Sequence, residues 1–409
     1  MKICIISRSD LRGGAAIAAF RLMHALNRNG MRAKMLVCEK VSNHPDVIET
    51  GKKWQNHRNF YRERGVIFLH NRFCRKQLFD VSIANTGLSV TEHPAFKEAD
   101  VIHLHWINQG MLSLREIEKI LVSGKKTVWT MHDMWPFTGI CHHAGDCNNY
   151  RKACGNCAYL RSSSEKDLSQ RVFAQKKEIY DRAKITFIAC SEWLKGLAQE
   201  SRLTQKQTVV SIPNPIDTTL YRPKASVDAR KRLHLPLDKK LMLFAAMKAS
   251  DKRKGIDYLM QACKMMRVHE REMALLIAGK KGTELTKAFS LPTYAPGWVS
   301  PEKMIDLYHA ADLFVTPSLQ DNLPNTIMEA MACGTPCVGF RTGGIPEMID
   351  HGKTGYVAKY KDAEDLAQGI EWSLFKADGD KLSQDAREKV VARYGEERVA
   401  NLYRDIYAG

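Results

Sequence analysis

The sequence predicts an α/β chain made of two doubly wound domains. Three observations carry that reading. Short apolar runs of strand length alternate with segments of helical apolar spacing. The alternation starts afresh near residue 241, after a Pro-rich connection at 210–217 (VSIPNPID). A chain of 409 residues with 44% hydrophobic content is also long enough to bury two cores.

In chain order, MKICIIS at 1–7 reads as a buried strand, and RGGAAI at 12–17 opens a helix behind Gly13 and Gly14. VIHLHW at 101–106 and TVWTMHD at 127–133 read as the next strands, with polar residues at their carboxyl ends. Open parallel sheets bind ligands beyond those ends, which places His105 and His132 near a site. The competing reading of His132 is a satisfied core histidine. His103, taken as alternating out of phase with His105, is expected in the core. LMLFAAMK at 241–248 opens the second domain, followed by a helix at 255–266, a strand at 273–278 ended by Gly279, and a helix at 302–311. A buried strand at 312–316 then precedes a helix at 326–333, with Pro324 just inside its start and Gly334 just past its end. Residues 389–407 read as one amphipathic helix with Val390, Val391, Tyr394, Val399, Leu402, Tyr403 and Ile406 on its buried face. Met265, Met266 and Phe289 are expected in the core.

The most informative stretch is 317–347, PSLQDNLPNTIMEAMACGTPCVGFRTGGIPE. Asp321 lies in a loop, and Glu329 follows on the first turns of a helix. A helix N-terminus offers unpaired N–H groups and partial positive charge, so a diphosphate can rest there while Glu329 reaches a ribose and Asp321 a hexose. The plainer reading is a solvated helix with two surface acids.

The segment resembles the E-x7-E signature of retaining GT-B glycosyltransferases of family 4, with Asp321 at the first position and Glu329 at the second. The glycine loop, 210–217 as an interdomain hinge, and Lys248 with Lys254-Gly255 as a basic pair extend the resemblance along nearly the whole chain. It implies two Rossmann-like domains facing a deep cleft: 1–215 on the acceptor side and 216–389 for the donor, with 390–409 crossing back onto the first. It further implies transfer of a sugar from a nucleoside diphosphate sugar, UDP- or GDP-linked, to an acceptor hydroxyl with retention and without a divalent ion. Lys248 and Lys254 would neutralise the departing diphosphate. Gly13, Gly14, Asn322, Leu323, Pro324, Asn325 and Glu329 would hold the donor, while His132 and Asp321 would meet its sugar. His105 and Asp133 would face the acceptor. HDMWPF at 132–137 ahead of a cysteine-rich insertion resembles a bacterial exopolysaccharide, colanic-acid-type branch of the family, which implies a glycan or lipid-linked acceptor. The alternatives are an epimerase on the same fold or a non-catalytic scaffold subunit.

Net charge is +17, of which residues 1–217 carry +13 and residues 218–409 only +4. A basic first domain suggests an anionic partner. The focus is 52–76, where Lys52, Lys53, Arg58, Arg62, Arg64, Arg72, Arg75 and Lys76 interleave with Trp54, Phe60, Tyr61, Phe68 and Phe73, and Glu63 is the only acid. That pattern is expected to meet an anionic membrane surface; an ordinary solvated helical insertion is the other reading. No helix-turn-helix, RNA-recognition or zinc-finger pattern supports nucleic-acid binding. With no apolar run of about 18 residues and no signal-peptide pattern, the expected place is the cytoplasm, peripheral on the membrane's cytoplasmic face.

Cys141, Cys147, Cys154 and Cys157 fall within 17 residues. Cys154-x2-Cys157 has the spacing of a zinc half-site, completed by Cys141 with Cys147, or with His142 or His143 in place of one of them. A structural zinc, free or redox-active thiols and a disulfide pair remain the three readings; no cofactor is expected for catalysis.

Overall fold

The computed structural model describes residues 1–266, 269 and 271–409. The chain divides into two units, Met1–Asn214 with Val399–Gly409, and Pro215–Arg398.

The first unit holds β1 (Lys2–Ser9), β2 (Arg32–Glu39), β3 (Val47–Glu49), β4 (Val101–Leu104), β5 (Lys126–Met131), β6 (Ile185–Ala189) and β7 (Thr208–Ser211). They form one parallel sheet in the order β3-β2-β1-β4-β5-β6-β7. Strand side chains alternate between faces, so the sheet supports two cores. Cys4, Ile6, Ile102, Leu104 and Trp129 lie in one. Ile3, Ile5, Val101 and Val128 lie in the other, packed with Leu22, Met23 and Leu26 of the helix Gly14–Arg28. A sheet buried on both faces explains why these strands read as unbroken apolar runs.

The second unit holds β8 (Lys240–Lys248), β9 (Met273–Lys280), β10 (Thr293–Gly297), β11 (Leu313–Thr316), β12 (Cys337–Phe340) and β13 (Gly355–Ala358). These are also parallel, in the order β10-β9-β8-β11-β12-β13. Each sheet reverses its strand order once, between β1 and β4 in the first unit and between β8 and β11 in the second. Such switch points are where open α/β sheets leave a crevice for ligands beyond the strand ends. Both fall where the sequence places its polar motifs: the glycine loop and His105 in the first unit, the basic pair and the Asp321 loop in the second.

Several expectations need correction, among them the core placing of Met265, which is 58% exposed while Met266 and Phe289 are buried. One helix does not span 389–407: Gly379–Tyr394 and Glu396–Ala408 are separate helices parted at Gly395, and residues 390–398 stay with the second unit. Val391 is 44% exposed while Val390 and Tyr394 are buried, because Val390 and Tyr394 are one helical turn apart and Val391 lies about 100° round from Val390. Pro324 is the cap residue of the helix Asn325–Ala332, not its first turn, which leaves the first helical N–H to Asn325.

Candidate active site

In the second unit, Lys248 ends β8, and the chain turns through the 3-10 segment Lys252–Lys254. Asp251 caps that turn by accepting from the Arg253 N–H at 3.0 Å. Gly255 follows at φ 72°, and a β-carbon there would sit 1.8 Å from the Pro317 carbonyl oxygen, so the turn presses directly on the loop after β11. The Leu319 N–H donates to the Arg253 carbonyl at 2.7 Å. This close packing carries Lys254 to Asp321, whose Oδ2 accepts from Nζ at 2.5 Å. From the other side the Asp321 loop is held by the turn before Gly344, whose N–H donates to the Asn322 carbonyl at 2.7 Å.

Glu329 sits on the helix Asn325–Ala332, which has no acid in its first turn and no side-chain cap on its N–H groups. Its side chain is not an exposed surface acid: the residue is 8% exposed, and Oε2 accepts from the Tyr308 hydroxyl at 2.8 Å. Burial pushes the Tyr308 hydroxyl well above its ordinary pKa, and the charge and hydrogen bond of Glu329 push the same way. Tyr308 has no signal in the sequence, because an aromatic residue in an amphipathic helix reads as core. Asn322 and Leu323 are buried beside the pair, and Lys248 is exposed.

In the first unit, Gly13 precedes the helix Gly14–Arg28 at φ 97° and ψ 163°, backbone that glycine adopts without penalty. At the end of β4, His103 and His105 lie on the same face with ring centroids 4.3 Å apart, so the expected opposition in phase is wrong: residues two apart on a strand share a face. His103 is fully buried between the Tyr407 hydroxyl at 2.7 Å and the Thr130 hydroxyl at 2.8 Å. Nδ1 of His105 and Nε2 of His132 are 2.9 Å apart and share one proton. Burial lowers all three imidazoles, His132 to about 4 and His103 to about 3, so near neutral pH the cluster is uncharged.

Asp133 spends both oxygens on the chain. Oδ2 accepts from Trp106 Nε1 at 2.8 Å and His142 Nδ1 at 2.7 Å, and Oδ1 from the Trp135 N–H at 2.9 Å. Burial raises its pKa, but the charge and hydrogen bond of His142 outweigh that and hold it at about 2. Nε2 of His142 lies 3.1 Å from the Ser82 hydroxyl. With both ring nitrogens engaged, His142 is not a spare ligand for the cysteine loop.

Cys141, Cys147, Cys154 and Cys157 line one small cavity together with Ile140, Ala144 and Tyr159. All four are free thiols, and burial pushes Cys141, Cys154 and Cys157 upward. Among the described residues no three His, Cys, Asp or Glu side chains are drawn together as metal ligands, so the thiols as placed do not form a ready tetrahedral set.

Residues 12–220, half of the chain, match the family profile described as Glycosyltransferase Family 4. The chain belongs to glycosyltransferase family 4. Residues 238–375 match a second profile, Glycosyl transferases group 1. Among curated family relatives, the lipopolysaccharide 1,2-N-acetylglucosaminetransferase of Salmonella typhimurium is 26% identical over 234 residues, 53% of this chain and 60% of that protein. The D-inositol 3-phosphate glycosyltransferase of Corynebacterium aurimucosum is 25% identical over 299 residues, 67% of this chain and 63% of that one. The matches thus span about three fifths of these relatives' own length. Among solved structures, sucrose-phosphate synthase of Thermosynechococcus elongatus superposes with a TM-score of 0.66 at 21% identity, covering 100% of this chain and 99% of that one. Anabaena HepE in complex with UDP and glucose gives 0.65 at 15%, with the same coverage. At those identities the likeness speaks to fold alone, and it is the GT-B fold that the family 4 motifs imply.

Proposed function

We propose that this family 4 chain is a retaining glycosyltransferase that moves a hexosyl group from a UDP- or GDP-linked donor to a hydroxyl of a lipid-linked glycan during bacterial surface polysaccharide assembly. The observation that carries the reading is the Lys254–Asp321 ion pair at the β8/β11 switch point, with Glu329 eight residues further on. Departure of the diphosphate is the difficult charge movement. Lys248 and Lys254 neutralise its oxygens, and the partial positive charge at the start of the helix Asn325–Ala332 adds to theirs, so preorganised charge takes the part a divalent ion plays elsewhere. Glu329, steadied by Tyr308, holds the ribose. As the diphosphate pairs with Lys254, Asp321 is released toward the donor sugar. His132 meets that sugar as a neutral imidazole, able to donate or accept without adding charge.

A UDP-linked donor is supported by the UDP and UDP-glucose complexes of HepE, and the polysaccharide role by the Salmonella relative. The glycosyltransferase relatives named above do not favour the epimerase or scaffold reading. A structural zinc in the cysteine loop would need the four thiols, which share one cavity, to close in from the positions they hold here; metal analysis of protein purified without chelator that finds none removes it.

The test is calorimetric titration of a panel of UDP- and GDP-linked sugars into wild type and Glu329→Ala, followed by NMR of the product's anomeric configuration. Saturable binding of one nucleotide class, lost in the variant, with retained configuration is expected. No binding to any donor, or an inverted product, overturns the assignment.

A further inference from the structure

The helix Lys53–His70 is built inside out. Its buried residues are Asn56, Asn59, Glu63, Arg64 and Ile67, and half-buried Val66 packs on the same core as Ile67. The opposite side carries Trp54 at 55% exposure, Tyr61 at 68% and Leu69 at 59%. Spacings of seven and eight residues bring those three onto one face of the helix. Phe73 and Phe79, just beyond it, are 69% and 58% exposed.

The inward polar groups find partners in the chain for part of their atoms, while Asn56 Oδ1, Asn59 Nδ2 and Arg64 Nε make no hydrogen bond among the described residues. Asn56 Nδ2 donates to the Cys38 carbonyl at 2.8 Å, and Asn59 Oδ1 accepts from the Thr86 hydroxyl at 3.0 Å. Glu63 Oε1 accepts from the Ile83 and Ala84 N–H groups at 2.8 and 2.9 Å, and its other oxygen pairs with Arg64 at 2.9 Å. This arrangement empties the outer face of negative charge, because Glu63, the only acid between residues 52 and 76, is fully buried. Lys52, Lys53, Arg58, Arg62, Arg72, Arg75 and Lys76 are all exposed. Arg58 lies over the Trp54 ring at 5.0 Å.

A surface helix of a globular protein normally buries its apolar stripe and shows water its polar one. Here polar groups take most of the buried face, and the outward apolar residues are, Leu69 apart, the aromatic types that settle at a membrane interface, set among cations with no outward acid between residues 52 and 76. We propose that this face is a docking surface for an anionic lipid bilayer, with Trp54, Tyr61, Leu69 and Phe73 entering the headgroup region and the seven cations meeting lipid phosphates. A polynucleotide would use the cations but gains nothing from an aliphatic residue such as Leu69. A second copy of this chain would bring the same positive charge against itself. The inference stands apart from the transferase reading, since it requires no donor or acceptor.

The experiment is sedimentation of the whole chain with vesicles of phosphatidylcholine containing increasing phosphatidylglycerol and no glycolipid. Bound fraction is expected to rise steeply with phosphatidylglycerol and fall with salt. Arg58→Glu with Arg62→Glu is expected to weaken binding at least about tenfold, the size of loss expected from cations held against an anionic surface. Trp54→Ala with Tyr61→Ala is expected to weaken it even at high phosphatidylglycerol. All four side chains are exposed, so melting curves should match wild type, and Arg32→Glu with Lys34→Glu, both exposed on β2 and outside residues 52–76, serves as a charge-matched control. Binding indifferent to phosphatidylglycerol, or unaffected by the aromatic pair, overturns the proposal. So does capture by single-stranded RNA that outcompetes vesicles, or a concentration-dependent dimer abolished by the charge reversal.

Discussion

Asp321 and Lys254 are each other's counter-ion. On the proposed function, an incoming diphosphate has to compete with Asp321 for Lys254. Asp321→Asn is therefore expected to tighten UDP or GDP binding while slowing transfer, because the sugar loses its carboxylate. The lysine side chain is 33% exposed, so the pair is screened and the gain is small, about 0.2–1 kcal/mol. Unchanged or weaker nucleotide affinity in calorimetry argues against the competition. Tyr308→Phe asks a different question. It leaves the buried Glu329 carboxylate without its hydroxyl donor, which is expected to cost about 1–3 kcal/mol in thermal or urea unfolding and to weaken donor binding. A variant as stable and as tight-binding as wild type would mean that Tyr308 does not hold Glu329.

At the scale of elements, the turn after β8 and the carboxyl ends of β4 and β5 each make a prediction. Gly255→Ala would need a positive φ and place a β-carbon 1.8 Å from the Pro317 carbonyl. Displacing Lys254 from Asp321 is the expected consequence, with loss of donor binding and a stability cost of at least about 1–3 kcal/mol. Retained donor affinity in calorimetry would show that the close approach does not position the lysine. The histidines at the ends of β4 and β5 set a pH limit. Burial lowers His103 to about 3 and His132 to about 4 from an ordinary 6.5, so the unfolded chain takes up these protons first. Their contribution to stability is complete above about pH 6.5 and is lost as pH falls from there toward 4. Melting should therefore drop as pH falls from about 6.5 to 4, and drop less in His103→Gln, which has nothing to protonate. Parallel pH profiles would count against this. These strands were legible in the sequence because burial on both faces makes them apolar throughout. Their histidine network was not, because His103 pairs with Tyr407, 304 residues away, and with Thr130 on the neighbouring strand, and His105 meets His132 only once the strands are side by side.

For the whole molecule, the last eleven residues matter out of proportion to their number. Val399, Ala400, Tyr403 and Tyr407 are 0–4% exposed in a core shared with β1, β2 and the helix Gly14–Arg28, and the Tyr403 hydroxyl lies 3.0 Å from that of Thr130. Burying side chains of this size contributes about 1.5–3 kcal/mol each, so together they approach the full stability of a typical domain. Ending the chain at Arg398 is expected to unfold the first unit selectively. Limited proteolysis would then leave a resistant fragment from within Pro215–Arg398; a truncated chain melting like wild type would contradict this.

Local rules reach the order of strands and helices, the restart of the pattern near residue 241, and the placing of Asp321 and Glu329 about a helix start. Periodicity and turn chemistry depend on near neighbours only, and those features need nothing more. Tertiary structure alone decided that Asp321 faces Lys254, that Glu329 is buried against Tyr308, that Asp133 is spent on Trp106 and His142, and that Glu63 turns inward. Each of these depends on which distant groups meet a side chain once parallel strands far apart in sequence lie side by side. A charge can be read from a sequence; whether it is open to a ligand, paired or buried is settled by its neighbours in space.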